Sequence, residues 1–230
     1  MTQNAWNTDY PNANGETLIG NGTSRPTSTT ITGGSNCTVV NTSGGIQLTY
    51  SGATTGDWVL THSASASNSS ELTFTGLSST YFTYMICVDN FVPANDGDRL
   101  AYQTSTDGGS SYDSGSNNYY FRGMSIEGDG TINALDSDST STNVLGSGTC
   151  DPGNATNETS SGIVYFYNPS ASDYMRATSW NAVTDNTGDL CWLTIATGRS
   201  QATAVDAFRM FCSGGNITTC EVRVYGLVAS

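Results

Sequence analysis

Short runs of β-branched and aromatic residues recur along this 230-residue chain, and clusters of Gly, Asn, Asp and Ser separate them. Ala, Leu, Glu and Gln are sparse and Lys is absent. No window of about 11 residues places apolar side chains at the i, i+3, i+4, i+7 spacing of a helix face. The pattern therefore predicts an all-β fold.

From Trp58 onward the runs are long enough to predict ten strands. They fall near residues 58–62, 71–76, 81–89, 99–105, 119–126, 162–168, 173–180, 190–196, 205–212 and 219–227. Ten strands in this length suit two packed antiparallel sheets, as in a jelly roll. We expect a jelly-roll-like antiparallel β-sandwich over residues 53–230.

Alternation within the strands indicates which side chains face the core. In the strand at 81–89, Phe82, Tyr84, Ile86 and Val88 form a uniformly apolar face, which we expect to be buried. The strand at 162–168 is apolar on both faces, which favours a central strand covered on both sides or packed against a partner subunit. Between residues 127 and 161 apolar residues are few, so we expect a long loop or excursion there.

Residues 1–52 differ from the rest and form the other predicted domain, an extended arm followed by a hairpin. The hairpin should turn near residues 41–45. Large apolar side chains are isolated on the polar arm, which could not bury them alone. We expect them to anchor the arm or to pack against neighbouring copies; they are Trp6, Tyr10, Leu18 and Ile19.

The net charge of −13, without any basic cluster, argues against binding to nucleic acid or to an anionic bilayer. No run of about 18 apolar residues predicts membrane insertion. The first twenty residues lack a basic start and an apolar stretch, so no secretory signal is predicted.

The six cysteines allow about fifteen pairings, among which the sequence does not choose, and no C-x-x-C motif occurs. Cys212 and Cys220 flank a plausible hairpin loop, S-G-G-N-I-T-T, and are the best single candidate for a disulfide. Buried reduced thiols remain an equal alternative.

Catalytic and metal-binding patterns are weak, and we predict a non-enzymatic protein without a cofactor. His62 is the only histidine, and no G-x-S-x-G motif accompanies it. Carboxylates on distant strands could still pair for glycoside hydrolysis, although Glu is scarce. Acidic loops at 95–98, 127–130 and 135–140 offer calcium-type ligands, but solvated loop acids explain them better.

Aromatic residues are the remaining candidates for a binding site. Rings with a polar tip can stack on sugars, although packing in the core or between subunits is the competing interpretation. The candidates for glycan binding are Tyr112, Tyr119, Tyr120, Trp180 and Trp192.

One short segment resembles a known turn. The sequence S-T-D-G-G-S-S-Y at 105–112 resembles the Asp-box of sialidases and other β-proteins. That resemblance implies an aspartate that binds nearby backbone N–H groups above a packed aromatic ring, a folding device rather than a catalytic one.

Two longer segments resemble proteins of bacteriophage particles. Residues 12–50, which include N-G-E-T-L-I-G-N-G-T-S-R-P and then a Thr-rich strand, resemble a motif of tail fibres and other virion appendages. Residues 205–227, V-D-A-F-R-M-F-C-S-G-G-N-I-T-T-C-E-V-R-V-Y-G-L, resemble the strand–turn–strand ending of such proteins.

This resemblance implies a virion structural protein that is assembled in the host cytoplasm and lies on the particle exterior. It also implies a homotrimer, an arm that contacts other virion proteins, and a sandwich that points outward. We expect this outward domain to bind a host surface glycan. A capsid decoration or head-fibre protein without a receptor role is the main alternative. A polysaccharide-degrading enzyme and a cellular lectin-like adhesin are the others.

Overall fold

The computed structural model describes residues 16–19, 27–30, 37–42, 45–50, 56–146 and 149–228. These residues form antiparallel β-strands and no helix, which confirms the all-β prediction. Within these ranges, no helix is long and apolar enough to cross a membrane. The strands are β1 (Glu16–Ile19), β2 (Thr27–Thr30), β3 (Cys37–Thr42), β4 (Gly45–Tyr50), β5 (Trp58–Ser69), β6 (Glu71–Thr75), β7 (Tyr81–Pro93), β8 (Leu100–Ser105), β9 (Tyr119–Ile126), β10 (Ile132–Thr140), β11 (Asn143–Val144), β12 (Ser160–Tyr167), β13 (Arg176–Thr184), β14 (Leu190–Arg199), β15 (Ala207–Cys212) and β16 (Ile217–Val228).

The chain divides into two compact units, residues 1–53 and 54–230. In the first unit β1 pairs with β2, and β3 pairs with β4. The second pair runs from Cys37 opposite Tyr50 to Thr42 opposite Gly45, which confirms the predicted hairpin.

The predicted anchoring residues are only partly covered by the structure. Trp6 and Tyr10 lie outside the described residues. Leu18 and Ile19 belong to β1, where they pair with Ser28 and Thr27. The anchoring role of these residues stays a prediction.

The second unit is a sandwich of two antiparallel sheets. One sheet has eight strands in the order β10-β9-β14-β13-β12-β7-β16-β5, and the other has four in the order β11-β8-β15-β6. Aromatic rings from both sheets meet in the core. Phe208 stacks on Phe74 at 4.7 Å between ring centroids and meets Phe166 edge-on at 5.2 Å. The predicted antiparallel sandwich is therefore confirmed.

Most of the predicted core face of β7 is buried. Tyr84, Ile86 and Val88 are all buried against the four-stranded sheet, as alternation indicated. Phe82 is an exception, because its side chain is 55% exposed. It is the second residue of β7, at the margin of the sheet, where alternation alone does not guarantee cover.

The prediction of a long loop over 127–161 is wrong in part. This segment contains β10, which pairs with β9 from Ile132 opposite Ile126 to Thr140 opposite Tyr119. Because β10 is an edge strand, backbone hydrogen bonds to one neighbour hold it and few apolar side chains are needed. A polar edge strand has a weak sequence signal, which explains the error.

Candidate functional site

The outer face of the eight-stranded sheet carries a cluster of aromatic side chains. It is centred on the middle strand β12, where Val164 and Phe166 point into the core and Tyr165 and Tyr167 point outward. Trp180 on β13 and Trp58 on β5 lie on the same outer face. We call these four residues, Trp58, Tyr165, Tyr167 and Trp180, the aromatic cluster.

Tyr165 holds the aromatic cluster together. Its ring meets Trp180 at 5.5 Å and Trp58 at 6.3 Å in edge-on geometry, and it stacks beside Tyr167 at 6.3 Å. The Tyr165 hydroxyl donates to Met85 Sδ at 3.5 Å. Offset and edge-on contacts of this kind stabilise ring pairs beyond the area they bury.

The rings remain accessible although they touch one another. Trp58, Tyr167 and Trp180 are 41%, 39% and 45% exposed. The Tyr167 hydroxyl lies 2.8 Å from Thr178 Oγ1, which orients the ring. The cluster therefore presents pre-positioned aromatic surface to solvent rather than burying it.

A shallow groove adjoins the aromatic cluster on the same face. Its volume is about 480 Å³, and its lining includes Thr194, the cross-strand partner of Trp180. The lining is mostly apolar or small, and Arg122 is its one charged side chain. The other lining side chains that shape it are Met124, Ile132, Ala134 and Ala196.

Three of the aromatic residues predicted to bind glycans share this face. Trp180 and Trp192 are diagonal neighbours on β13 and β14, because Trp180 pairs with Thr194 and Trp192 pairs with Ala182. Tyr120 lies at the other end of the face, with its ring over the backbone of Gly198. The structure thus brings Tyr120, Trp180 and Trp192 onto one surface.

Tyr119 does not belong to this surface, and its prediction as a glycan contact is wrong. The residue is 1% exposed, and the backbone N–H of Thr104 donates to its hydroxyl at 2.8 Å. Burial is the main cause of the raised pKa of Tyr119. Tyr119 and Tyr120 are consecutive in a strand, so only one of them can face outward.

Tyr112 lies elsewhere, close to side chains of the four-stranded sheet. The guanidinium of Arg209 sits 4.6 Å from the centre of its ring and also binds Glu71 at 2.9 Å. Burial and the nearby Glu71 raise the pKa of Tyr112. Tyr112 is therefore engaged in an ionic and aromatic network apart from the aromatic cluster.

Sequence reasoning missed three members of the cluster, Trp58, Tyr165 and Tyr167. The signal was present in β12, whose two apolar faces indicated a covered central strand. The structure covers one face with the core and leaves the other face as the aromatic cluster. A central strand with large aromatic residues on its second face is the pattern that would have identified the site.

The segment at 105–112 has the geometry that its resemblance to an Asp-box implies. Asp107 accepts hydrogen bonds from the Ser111 backbone N–H at 2.9 Å and from the Ser111 hydroxyl at 2.6 Å. The Ser105 hydroxyl also donates to Asp107 at 2.7 Å. Led by the Ser111 hydroxyl, these bonds lower the pKa of Asp107 to about 2. All the partners are local, so the turn stabilises the loop.

His62 has structural hydrogen bonds. Its Nε2 lies 2.8 Å from the Thr75 carbonyl oxygen, to which it donates, and its Nδ1 lies 3.0 Å from Thr61 Oγ1. The Thr61 hydroxyl in turn donates to the Val224 carbonyl oxygen at 3.0 Å, so these contacts join neighbouring strands. In the described part of the chain, no group of three or more His, Cys, Asp or Glu side chains could hold a metal ion.

Cys212 and Cys220 are both buried and are not bonded to each other in the structure, in which all six cysteines are free thiols. The segment between them joins β15 in the four-stranded sheet to β16 in the eight-stranded sheet, so the two cysteines face each other across the core. Facing sheets pack about 10 Å apart, whereas disulfide-bonded residues have Cα atoms about 4.4–6.8 Å apart. A loop that crosses between sheets was mistaken for a hairpin.

Together, the fold and the site define an antiparallel β-sandwich with an exposed aromatic sheet face. In comparisons with known proteins, no family model and no curated protein matches the chain.

Proposed function

We propose that this protein is a non-enzymatic virion appendage that binds host surface saccharides through the outer face of its eight-stranded sheet. The observation that carries the proposal is the aromatic cluster, four ordered and partly exposed rings on a rigid sheet. The assignment to a virion is supported by the segments at 12–50 and 205–227, which resemble proteins of bacteriophage particles.

The chemistry of the face suits a saccharide. Apolar ring faces of Trp and Tyr stack on the C–H faces of sugars, while their polar tips and nearby side chains bind hydroxyl groups. Trp180 and Tyr167 supply the rings. Thr178 supplies a hydroxyl group beside Tyr167, and Thr194 supplies one on the other side of Trp180. Binding at such a site costs little conformational entropy, because the sheet positions the rings before the ligand arrives.

The groove beside Trp180 extends the proposed site. A ligand stacked on Trp180 and Trp192 would reach the groove at Thr194, where Arg122 provides a charged donor. The combined length of cluster and groove favours an oligosaccharide over a single sugar.

The remaining parts of the proposal concern assembly. The sandwich would point outward from the particle, and residues 1–52 would hold other virion proteins and form a homotrimer. Native mass spectrometry of the full chain and of a version without residues 1–26 tests this: we expect a trimer that is lost on deletion. A monomer in both cases would contradict it.

Saccharide binding is tested on an array of purified bacterial lipopolysaccharides and capsular polysaccharides. We expect binding to a subset, and we expect Trp180→Ala to weaken it by at least about tenfold. Phe82→Ala is the matched control, because Phe82 is an exposed aromatic residue outside the aromatic cluster. Equal binding by wild type and Trp180→Ala, or no binding to any polysaccharide, would contradict the proposal.

The same samples separate the alternatives. Release of reducing ends from a bound polysaccharide would identify an enzyme. Antibody labelling of intact particles would separate a tail appendage from a capsid decoration protein.

A further inference from the structure

The side chains of Cys150 and Cys191 lie in the same buried cluster in the protein interior. They are 0% and 1% exposed and belong to one small cluster with Val183, Leu193 and Ile195. The nearby Cys150 thiol, second to desolvation, contributes to the raised pKa of Cys191.

The backbone that directly follows Cys150 is held against the hairpin that carries Cys191. Pro152 forms a β-bridge with Asp185, and the backbone N–H of Asn186 donates to the carbonyl oxygen of Asp151 at 3.1 Å. The Cys191 thiol donates to Asp185 Oδ2 at 3.6 Å. These contacts hold the segment that follows Cys150 against the hairpin of Cys191, and the two thiols share one buried cluster.

We infer that Cys150 and Cys191 are a disulfide-forming pair that links the segment around residues 150–153 covalently to the hairpin between β13 and β14. The inference does not depend on the proposed saccharide-binding function. It replaces the pairing that the sequence favoured.

The oxidant is an organic disulfide such as oxidised glutathione. One cysteine, as thiolate, attacks a glutathione sulfur, which forms a mixed disulfide and releases one glutathione thiolate. The second cysteine attacks the mixed disulfide and releases the other. Two protein thiols are oxidised, one glutathione disulfide is reduced to two thiols, and the protons pass to the leaving thiolates.

Burial sets the rate of this reaction. Desolvation, followed by the contact with Cys150, raises the pKa of Cys191, so the reactive thiolate is scarce in the folded protein. The exchange therefore proceeds during folding or during local opening of the segment around Cys150. Once formed, the link removes freedom from the unfolded chain and stabilises the fold.

The experiment compares the reduced full chain with the chain refolded in oxidised and reduced glutathione. Peptide mapping by mass spectrometry without reductant should find Cys150 and Cys191 in one linked peptide, and thermal unfolding should shift upward by about 5–15 °C. Cys150→Ser and Cys191→Ser should each abolish the shift. The double variant Cys212→Ser with Cys220→Ser is the control and should keep it.

Three results would overturn the inference. They are a Cys212–Cys220 peptide in place of the expected one, no linked peptide after complete refolding, and a shift that survives Cys150→Ser. Mapping of the wild-type chain decides the question even if a serine variant fails to fold.

Discussion

The guanidinium of Arg199 lies 2.7 Å from the carboxylate of Asp113, although Arg199 is only 2% exposed. Arg199 also donates to the Thr203 carbonyl oxygen at 3.0 Å and to its hydroxyl at 2.7 Å. Arg199 thus links the end of β14 to the loop that contains Asp113 and to the loop that contains Thr203. Because burial removes the Arg199 cation from water, its charge is stabilised by the Asp113 carboxylate.

Asp113→Asn removes the partner charge and leaves the Arg199 cation buried. We expect the free energy of unfolding to fall by about 3–5 kcal/mol, as measured by urea denaturation. Asp89→Asn is the matched control, since Asp89 pairs with Arg223 at the surface and both side chains are almost half exposed. The control should lose about 0.2–1 kcal/mol. Equal losses would contradict a special role for the buried pair.

Phe208→Ala opens a cavity at the centre of the sandwich. Phe208 is fully buried between Phe74 and Phe166, so the variant should lose about 3–5 kcal/mol of stability in denaturant titrations. Phe82→Ala removes an equally large ring from an exposed position and should change stability by about 0.5 kcal/mol or less. A large loss for Phe82→Ala would show that this ring is covered in solution.

Gly198→Ala places a methyl group against the ring of Tyr120, which lies directly over the glycine. We expect the ring to move and saccharide affinity to fall by about three- to tenfold, or roughly 0.7–1.4 kcal/mol, in a binding titration. Tyrosine ring chemical shifts report the movement independently of binding.

Gly115→Ala is the control for this substitution. The atoms nearest to its added methyl would belong to the Asn118 side chain, at 3.3 Å. Ring movement without any change in affinity would remove Tyr120 from the proposed site.

Asp107→Asn alters the acid stability of the loop at 105–112. The folded-state pKa of Asp107, about 2, lies below its unfolded value of about 3.9. The charged carboxylate therefore stabilises the fold above about pH 4, and this contribution is lost as the pH falls toward 2. The stability difference between wild type and variant should be full at pH 5–7 and should shrink between about pH 4 and pH 2.

Urea titrations at several pH values measure that difference. Asp96→Asn serves as the control, because the Asp96 carboxylate accepts one long bond of 3.3 Å from the Asn154 backbone N–H. A difference for Asp107→Asn that stays constant down to pH 2 would refute the expected linkage.

Local patterns in the sequence were enough to predict most of the strands, but not the edge strand β10 or the full set of aromatic residues at the candidate site. The alternation in β7 correctly identified Tyr84, Ile86 and Val88 as core residues, because a strand places successive side chains on opposite faces. The edge strand β10 was missed, because pairing on one side leaves little apolar signal in the sequence. Of the candidate site, Trp180, Trp192 and Tyr120 were named in advance, whereas the central ring, Tyr165, was not.

The sequence by itself determined that this chain is all-β, where most of its strands lie, and that its 105–112 turn is built from local hydrogen bonds. These properties depend on neighbours within a few residues. Only the tertiary structure decided that Trp58 and Trp180 both meet Tyr165, and that Cys150 and Cys191 share one buried cluster. Trp58 and Tyr165, like Cys150 and Cys191, lie far apart in the sequence. Their proximity follows from how the strands and loops are arranged in the fold, which local alternation does not encode.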